Sequence, residues 1–232
     1  MMAEARRSAF SQAQEDYLKA LYYLHGDERT VPTSDLAQRL GISSPSVTEM
    51  VGRLAAEGLV EHESYRGQRL TTRGHKVALE LVRHHRLLEM FLVRTLGYSW
   101  DEVHEEAERL EHVISERMEE RIFELLGRPE LDPHGHAIPT REGKVRAVSE
   151  RPLSEAVAGE ELIVQVVSDD DADRLRELER RRLVPGARLR VISGSSYESP
   201  IEAELGKRRV SVPLGLARSV FVEKVKASWP LK

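Results

Sequence analysis

The sequence predicts a mainly α-helical chain whose C-terminal third is β-rich. Three observations carry this reading. Apolar residues recur at helical spacing through most of the first half, as in Tyr17, Leu18, Leu21, Tyr22 and Leu24. Between Leu59 and Thr71, two short β-type stretches flank a Gly-containing turn and read as a hairpin. Beyond a stretch rich in Pro, Gly and charge, from Gly127 to about Ser154, the texture changes to short apolar runs separated by turn residues. At 232 residues the chain is long enough for two or three compact units.

The elements follow in order. A first helix spans Ser11 to His25 and ends at Gly26-Asp27. A second spans Asp35 to Leu40, with Thr33 or Ser34 as its cap. Gly41-Ile42-Ser43 forms a tight turn, and Ser44-Pro45 opens a third helix to about Glu57, where Gly58 stops it. Pro suits a first helical turn because its missing N–H would be unpaired there. The hairpin strands are Leu59–Glu63 and Arg69–Thr71, with the turn over Ser64 to Gln68. Thr72 caps a long helix to about Leu96. Asp101 starts another, running to Leu126 with few breaks. After the linker come strands over Leu162–Val167, Arg188–Ile192, Ile201–Leu205, Arg209–Val212 and Val220–Val225, with a short helix from Asp171 to Arg182.

Composition narrows the chemistry. The chain has no cysteine, so disulfides, thiolate zinc sites, iron–sulfur clusters and cysteine nucleophiles are all excluded. Any metal must be held by oxygen and imidazole. The net charge of −4 does not by itself mark a nucleic-acid binder. Its distribution is uneven: acids outnumber bases from about Glu80 to Glu124, and Arg180 to Lys226 is mostly basic. An acidic segment suits a cation site and equally suits a solvated helix face. Met1 to Phe10 is polar, without an apolar run of signal-peptide length, and no stretch is long and apolar enough for a membrane span. A cytoplasmic protein without membrane partners is the expectation.

Helices joined by a tight glycine turn and followed by a hairpin have the order of a winged helix-turn-helix. Ala37 is small enough for close helix approach. Gly41 permits the positive φ that the turn needs. Val47 is apolar where the third helix must pack inward. The opposite face then presents Ser43, Ser44, Pro45, Ser46, Thr48 and Glu49. These are short groups at a helix N-terminus, able to reach base edges while backbone N–H groups meet phosphate. Arg53, Tyr65, Arg66 and Arg69 are the phosphate-binding candidates of the helix end and the wing. Many winged helices bind protein instead; the Ala-Gly-Val spacing and the basic wing favour DNA. Glu49 has the wrong charge for phosphate and is either a cytosine reader or simply exposed.

The segment His104-Glu105-Glu106-Ala107-Glu108-Arg109-Leu110-Glu111-His112 carries the most chemistry. On one continuous helix, His104, Glu108, Glu111 and His112 share a face. Burying that face without a cation would set carboxylate against carboxylate at a cost of several kcal/mol. His85 and Glu89, four apart, occupy the preceding helix, and Asp16 the first. A metallohydrolase would place a second His four residues after His104, where Glu108 stands. The chain also has no nucleophile elbow, phosphate-cradling Gly loop or dinucleotide fingerprint, so no catalytic role is expected. Two further alternatives are a metal-independent regulator whose carboxylate–His face is structural, and a metal-storage protein.

These motifs resemble the diphtheria-toxin-repressor family of iron- and manganese-dependent regulators. The resemblance runs through Glu15-Asp16-Tyr17-Leu18, Ser44-Pro45-Ser46-Val47-Thr48, His85-Arg86-Leu87-Leu88-Glu89, Val103-His104-Glu105-Glu106-Ala107 with Glu111-His112, and Pro133-His134-Gly135-His136-Ala137-Ile138-Pro139. It implies a winged-helix DNA-binding domain (1–76), a helical metal-binding and dimerisation domain (77–150, with a linker over 127–150) and an SH3-like small β-barrel (151–232) akin to ferrous-transport proteins. It implies a homodimer on an imperfectly palindromic operator in double-stranded DNA. By position, Asp16, Glu108, Glu111 and His112 match a primary, activating site, and His85, Glu89 and His104 an ancillary one. Asp169-Asp170-Asp171 and Asp173 fall in the region where the last domain donates further ancillary ligands, Asp170 and Asp171 being the candidates, or they are simple helix caps. Carboxylates at Asp16 and Glu108 match manganese-type members, since hard oxygen donors suit Mn(II) and sulfur suits Fe(II); Fe(II) and other divalent first-row metals remain the alternatives. Manganese-type members carry a further acid where this chain has Lys19. His134 and His136 read as structural.

Overall fold

The computed structural model describes residues 10–63, 66–194 and 199–225. They form two compact units. One comprises Met1–Leu88, Ala107–Arg128 and Ile138–Val145; the other comprises Glu89–Glu106, Pro129–Ala137 and Arg146–Lys232.

In the first unit, α1 (Gln12–Tyr23) begins at a capping box, in which Ser11 and Gln14 satisfy each other's backbone N–H. Helix α2 (Thr33–Leu40) starts two residues before the expected Asp35. Its N-cap is Pro32, so neither Thr33 nor Ser34 caps it. Gly41 closes α2 at φ 66°, the left-handed conformation the turn was expected to need. Ser43 caps α3 (Ser44–Ala56), and Pro45 lies in its first turn. Val47, Val51 and Leu54 are buried against Leu18, Leu21, Leu36 and Leu59.

Strands β1 (Val60–Glu63) and β2 (Gly67–Leu70) pair antiparallel, Val60 opposite Leu70. Gly67 and Gln68, expected in the turn, belong to the strand. Val31 exchanges backbone hydrogen bonds with Gln68 at 2.7 and 3.0 Å, which draws this end into the ladder. Helix α4 (Thr72–Phe91) is capped by Thr71, whose hydroxyl accepts the Gly74 N–H; the expected cap, Thr72, is the first helical residue. A π-type turn, Leu92–Leu96, follows.

The helical stretch expected from Asp101 to Leu126, with few breaks, is two helices, α5 (Val103–Leu110) and α6 (Glu116–Leu125). Ser115 caps α6 by accepting the Met118 N–H. The β-branched Val113 and Ile114 precede that cap, where helical propensity is weakest. Glu111 and His112 therefore lie in a turn beyond α5. Helices α4 and α6 enclose a buried ionic group. Arg83 Nε donates to Glu119 Oε1 at 2.6 Å and Arg83 Nη1 to the Pro139 carbonyl at 2.7 Å. His84 Nε2 lies 3.1 Å from Glu119 Oε2.

The second unit is built on an antiparallel sheet. Its strands are β3 (Glu161–Val167), β4 (Arg188–Ser193), β5 (Ile201–Leu205), β6 (Arg208–Val212) and β7 (Val220–Lys224), in the order β6-β5-β4-β3-β7. Inward residues alternate with outward ones, as Leu162, Val164 and Val166 do along β3. Helix α7 (Ala172–Arg181) adds Leu175 and Leu178 to this core. The small barrel expected here is not closed. Among the described residues, β7 pairs with β3 and β6 with β5, and the short helix α8 (Leu214–Ala217), not a hairpin, joins β6 to β7.

Residues 129–137, expected as part of a linker, form a tightly built loop. Asp132 Oδ1 accepts the N–H groups of His134 and His136 at 2.8 and 2.9 Å. Gly135 has φ 91°, and a Cβ there would stand 2.0 Å from the Gln165 carbonyl oxygen.

The Glu119 group gives a pH signature. Burial opposes its charge, but His84 and Arg83 outweigh burial and hold its carboxyl at about 2, below the ordinary 4.5. A folded value below the unfolded one stabilises the fold above about pH 4.5 and loses that contribution as pH falls toward 2. The contribution near neutrality is on the order of 3 kcal/mol. We expect Glu119→Gln to be clearly less stable than wild type in urea unfolding at pH 7. The gap between them should shrink by roughly half or more at pH 3.

Candidate metal centre and DNA-facing helix

Helix α1 faces the turn beyond α5 with Glu15, Asp16 and Lys19, whose spacing places them along one side. Glu111 is fully buried there and His112 nearly so. Ligand atoms of Asp16, Glu111 and His112 all lie within 4.8 Å of one another. His112 Nδ1 is 2.6 Å from Glu15 Oε2, an acceptor that orients the ring. Its Nε2 then points into the cluster, 3.0 Å from Asp16 Oδ1 and 3.6 Å from Glu111 Oε1, and makes no hydrogen bond of proper geometry. Burial disfavours the imidazolium, but Asp16 and Glu15 prevail and raise its pKa to about 9. The cluster thus already holds a proton where a stronger cation fits.

Glu108, the fourth residue expected at the primary site, is turned to Lys19. The ammonium donates to Glu108 Oε1 at 2.7 Å and to both Glu111 oxygens at 2.8 Å. His85 Nδ1 lies 3.2 Å from the same ammonium and 2.5 Å from Glu111 Oε2, so His85 joins this cluster through Glu111. Burial alone would lower the Lys19 pKa; Tyr23, Glu111 and Glu108 reverse that and raise it. The donors fit a hard divalent cation: carboxylates and an imidazole with a carboxylate behind it, and no sulfur.

A second cluster lies in the other unit. Glu89 is completely buried and its Oε1 is 3.3 Å from His104 Nδ1. Ligand atoms of Glu89, His134 and Asp169 lie within 4.8 Å of one another, as do those of Asp132, His134 and His136. His134 Nε2 is 2.8 Å from the Trp100 carbonyl, so it carries the proton and donates. Nδ1 is left facing Glu89 Oε2 at 3.7 Å, without a hydrogen bond. Trp100 stacks on the imidazole at 5.5 Å. Burial lowers the His134 pKa, but Glu89, Asp132 and Asp169 outweigh it and raise it to about 9. The Asp169 carboxyl is lowered despite burial, chiefly by His136.

His134 and His136, expected as structural residues, lie in clusters of potential ligand atoms within 4.8 Å of one another. Asp170 and Asp171 do not enter the cluster. Asp170 pairs with Arg174, and Asp171 caps α7 by accepting the Arg174 N–H. Asp169 is the acid of this run whose ligand atom lies within 4.8 Å of those of Glu89 and His134.

On α3, Ser43, Ser44, Pro45, Ser46, Thr48 and Glu49 are all exposed, opposite buried Val47. Ser43 and Ser46 also bond each other at the cap, and Thr48 donates to the Ser44 carbonyl. Glu49 pairs with Arg53, so its carboxylate is already engaged. In the wing, Arg66 pairs with Glu63 and Arg69 with Glu61. Tyr65 lies outside the described residues. Tyr17 of α1 donates to the Ser46 carbonyl at 3.4 Å.

A winged helix with an exposed, polar N-terminal face, in a chain bearing buried carboxylate–imidazole clusters, defines a DNA-binding protein equipped to hold cations. Comparison with known proteins agrees. Residues 9–68 match the N-terminal DNA-binding domain of iron-dependent repressors and residues 71–140 their metal-binding and dimerisation domain; residues 151–224 match the FeoA domain. The iron-dependent repressor IdeR of Mycobacterium leprae is 34% identical over 226 residues, 91% of this chain and 96% of the relative. The diphtheria toxin repressor of Corynebacterium diphtheriae is 36% identical over 125 residues, 54% of this chain and 55% of that protein. A solved manganese-dependent transcriptional repressor in complex with manganese is 37% identical with a TM-score of 0.83, covering 91% of this chain and all of that one. ScaR with bound Zn2+ gives a TM-score of 0.76 at 36% identity, over 91% of this chain and 99% of that one. The chain belongs to the iron-dependent repressor family.

The second cluster makes a spectroscopic prediction. In metal-free protein, Glu89→Gln removes the carboxylate nearest His134 Nδ1. The His134 pKa should fall from about 9 toward the ordinary 6.5, read by imidazole NMR titration. An unchanged value would show that Glu89 does not set the charge of this cluster.

Proposed function

We propose that this protein is a homodimeric repressor that binds an operator in double-stranded DNA when divalent metal occupies its carboxylate–imidazole clusters. The observation that carries the reading is the Asp16–Glu111–His112 cluster, in which α1 of the winged helix and the turn beyond α5 converge on one cation position. Glu108 completes the acid set. We assign the Glu89–His134–Asp169 group, with His104 and Asp132 beside it, as a second cation site. The labour divides by region: 1–76 reads DNA, 77–150 binds metal and dimerises, and 151–232 is the FeoA-like accessory domain. The protein is assigned to the cytoplasm with no catalytic role; among the described residues no helix is long and apolar enough to cross a membrane.

A divalent ion supplies concentrated positive charge that carboxylates from two segments can share. Asp16 and His112 then hold α1 in a fixed relation to the turn, and Tyr17 on the same helix steadies the start of α3 through the Ser46 carbonyl. A dimer holding both recognition helices in fixed relation can match half-sites about one DNA turn apart. Metal acts only through its differential affinity for that arrangement. Oxygen and nitrogen donors throughout favour Mn(II), with Fe(II) as the alternative.

The test is fluorescence-anisotropy binding to a palindromic fragment from upstream of the protein's own gene. Mn(II) should raise affinity roughly 10- to 100-fold over chelator. Asp16→Ala and Glu111→Gln should each abolish that rise while leaving the weak metal-free binding in place. Binding should also weaken steeply with salt. Affinity indifferent to chelator and to both variants would favour a metal-independent regulator whose cluster is structural.

A further inference from the structure

Lys19 stands where a cation belongs. Its ammonium is buried, and it donates to carboxylates of the kind that bind a divalent ion. Glu108 Oε1 is at 2.7 Å, both Glu111 oxygens are at 2.8 Å and His85 Nδ1 is at 3.2 Å. Glu111 Oε1 also faces His112 Nε2 at 3.6 Å, so one carboxylate borders two adjacent positive positions. One is bounded by Asp16, Glu111 and His112. The other is bounded by His85, Glu108 and Glu111, and the ammonium fills it. Shared carboxylates of this kind are how protein sites hold metal ions as pairs about 3.5–4 Å apart.

We propose that Lys19 is a tethered cation that fills the second position of this cluster and limits it to one divalent ion per protomer. The proposal rests on reading the cluster as a cation site. Two consequences follow from charge alone. Lys19 neutralises part of the acid set before metal arrives, so Glu108 and Glu111 stay aligned without an ion. The same fixed charge repels an incoming divalent ion, so the cluster binds its metal more weakly than its donors alone would allow.

The experiment counts Mn(II) in the full-length protein by equilibrium dialysis and elemental analysis, in a His134→Ala background that silences the second cluster. Low-temperature EPR then separates an isolated Mn(II) from an exchange-coupled pair. With Lys19 in place we expect one ion per protomer and no coupled spectrum. Lys19→Glu should bind two, with the spectrum of a coupled pair. Lys19→Met removes the charge and adds no ligand; it should bind its first ion at least about tenfold more tightly. A folded Lys19→Glu protein that still binds one ion, a coupled pair in the presence of Lys19, or unchanged affinity in Lys19→Met would each overturn the proposal. Glu111→Gln tests the underlying reading separately. If it keeps its full Mn(II) complement, the cluster itself is not the metal site.

Discussion

Glu111 is buried completely, and a buried carboxylate cannot stand without positive charge beside it. Much of the first unit meets that demand. The turn beyond α5 delivers Glu111 to the same place as His112. Helix α1 supplies Lys19 from one turn and Asp16 from the previous one. Helix α4 supplies His85, which contacts the remaining side of the carboxylate. The arrangement combines permanent charge (Lys19) with charge acquired from solution, either a proton on His112 or a metal ion. Charge compensation by exchangeable species makes such a site responsive to its surroundings, whereas the Arg83–Glu119 pair, compensated entirely from within the chain, is fixed.

The second cluster solves the same problem differently. Glu89 is as deeply buried as Glu111, and imidazoles stand beside it. These are His104 and His134, and the latter is oriented by the Trp100 carbonyl and held flat by the Trp100 ring. A proton on His134 supplies positive charge to the Glu89–His134–Asp169 group, and a divalent ion would displace it. The loop carrying His134 is held by backbone contacts, including the close approach of Gly135 to Gln165, so its geometry does not depend on the cation that occupies it.

Features set by local chemistry were legible in the sequence. The Ala37, Gly41 and Val47 spacing identified the helix-turn-helix because each residue acts on its own turn or its immediate packing partner. Asp16, Glu111 and His112 were identified through the family resemblance, and they do converge. Features set by long-range geometry were not legible. A shared helical face was expected for Glu111 and His112, but the Ser115 cap and the β-branched pair before it end the helix first. Asp169 lay in the expected region, but its neighbours Asp170 and Asp171 were chosen over it. Its position is fixed by the Val167 N–H on the His134 carbonyl and the Ser168 N–H on the Ser219 carbonyl, contacts between segments far apart in sequence. Lys19 was noted only as a departure from the manganese-type pattern; a lone lysine on an amphipathic helix gives no sign that it turns inward. Glu15 gave no signal beyond its place beside Asp16.

Helix α1 carries adjacent residues with opposite duties. Asp16 faces the cation cluster, and Tyr17 reaches the opening turn of α3 through the Ser46 carbonyl. Both lie in one turn of the same helix, whose apolar side is buried. A shift of the helix at its acidic side would reach the first turn of α3 directly through the Tyr17 hydroxyl, without melting or refolding of any segment. Transmission by such a shift belongs to the microsecond-to-millisecond range of packed-helix motions, faster than any switch that must order a disordered loop and much faster than one that waits on proline isomerisation. In such a device the response would be paced by the slower of two events, departure of the ion from its ligands and the helix shift itself.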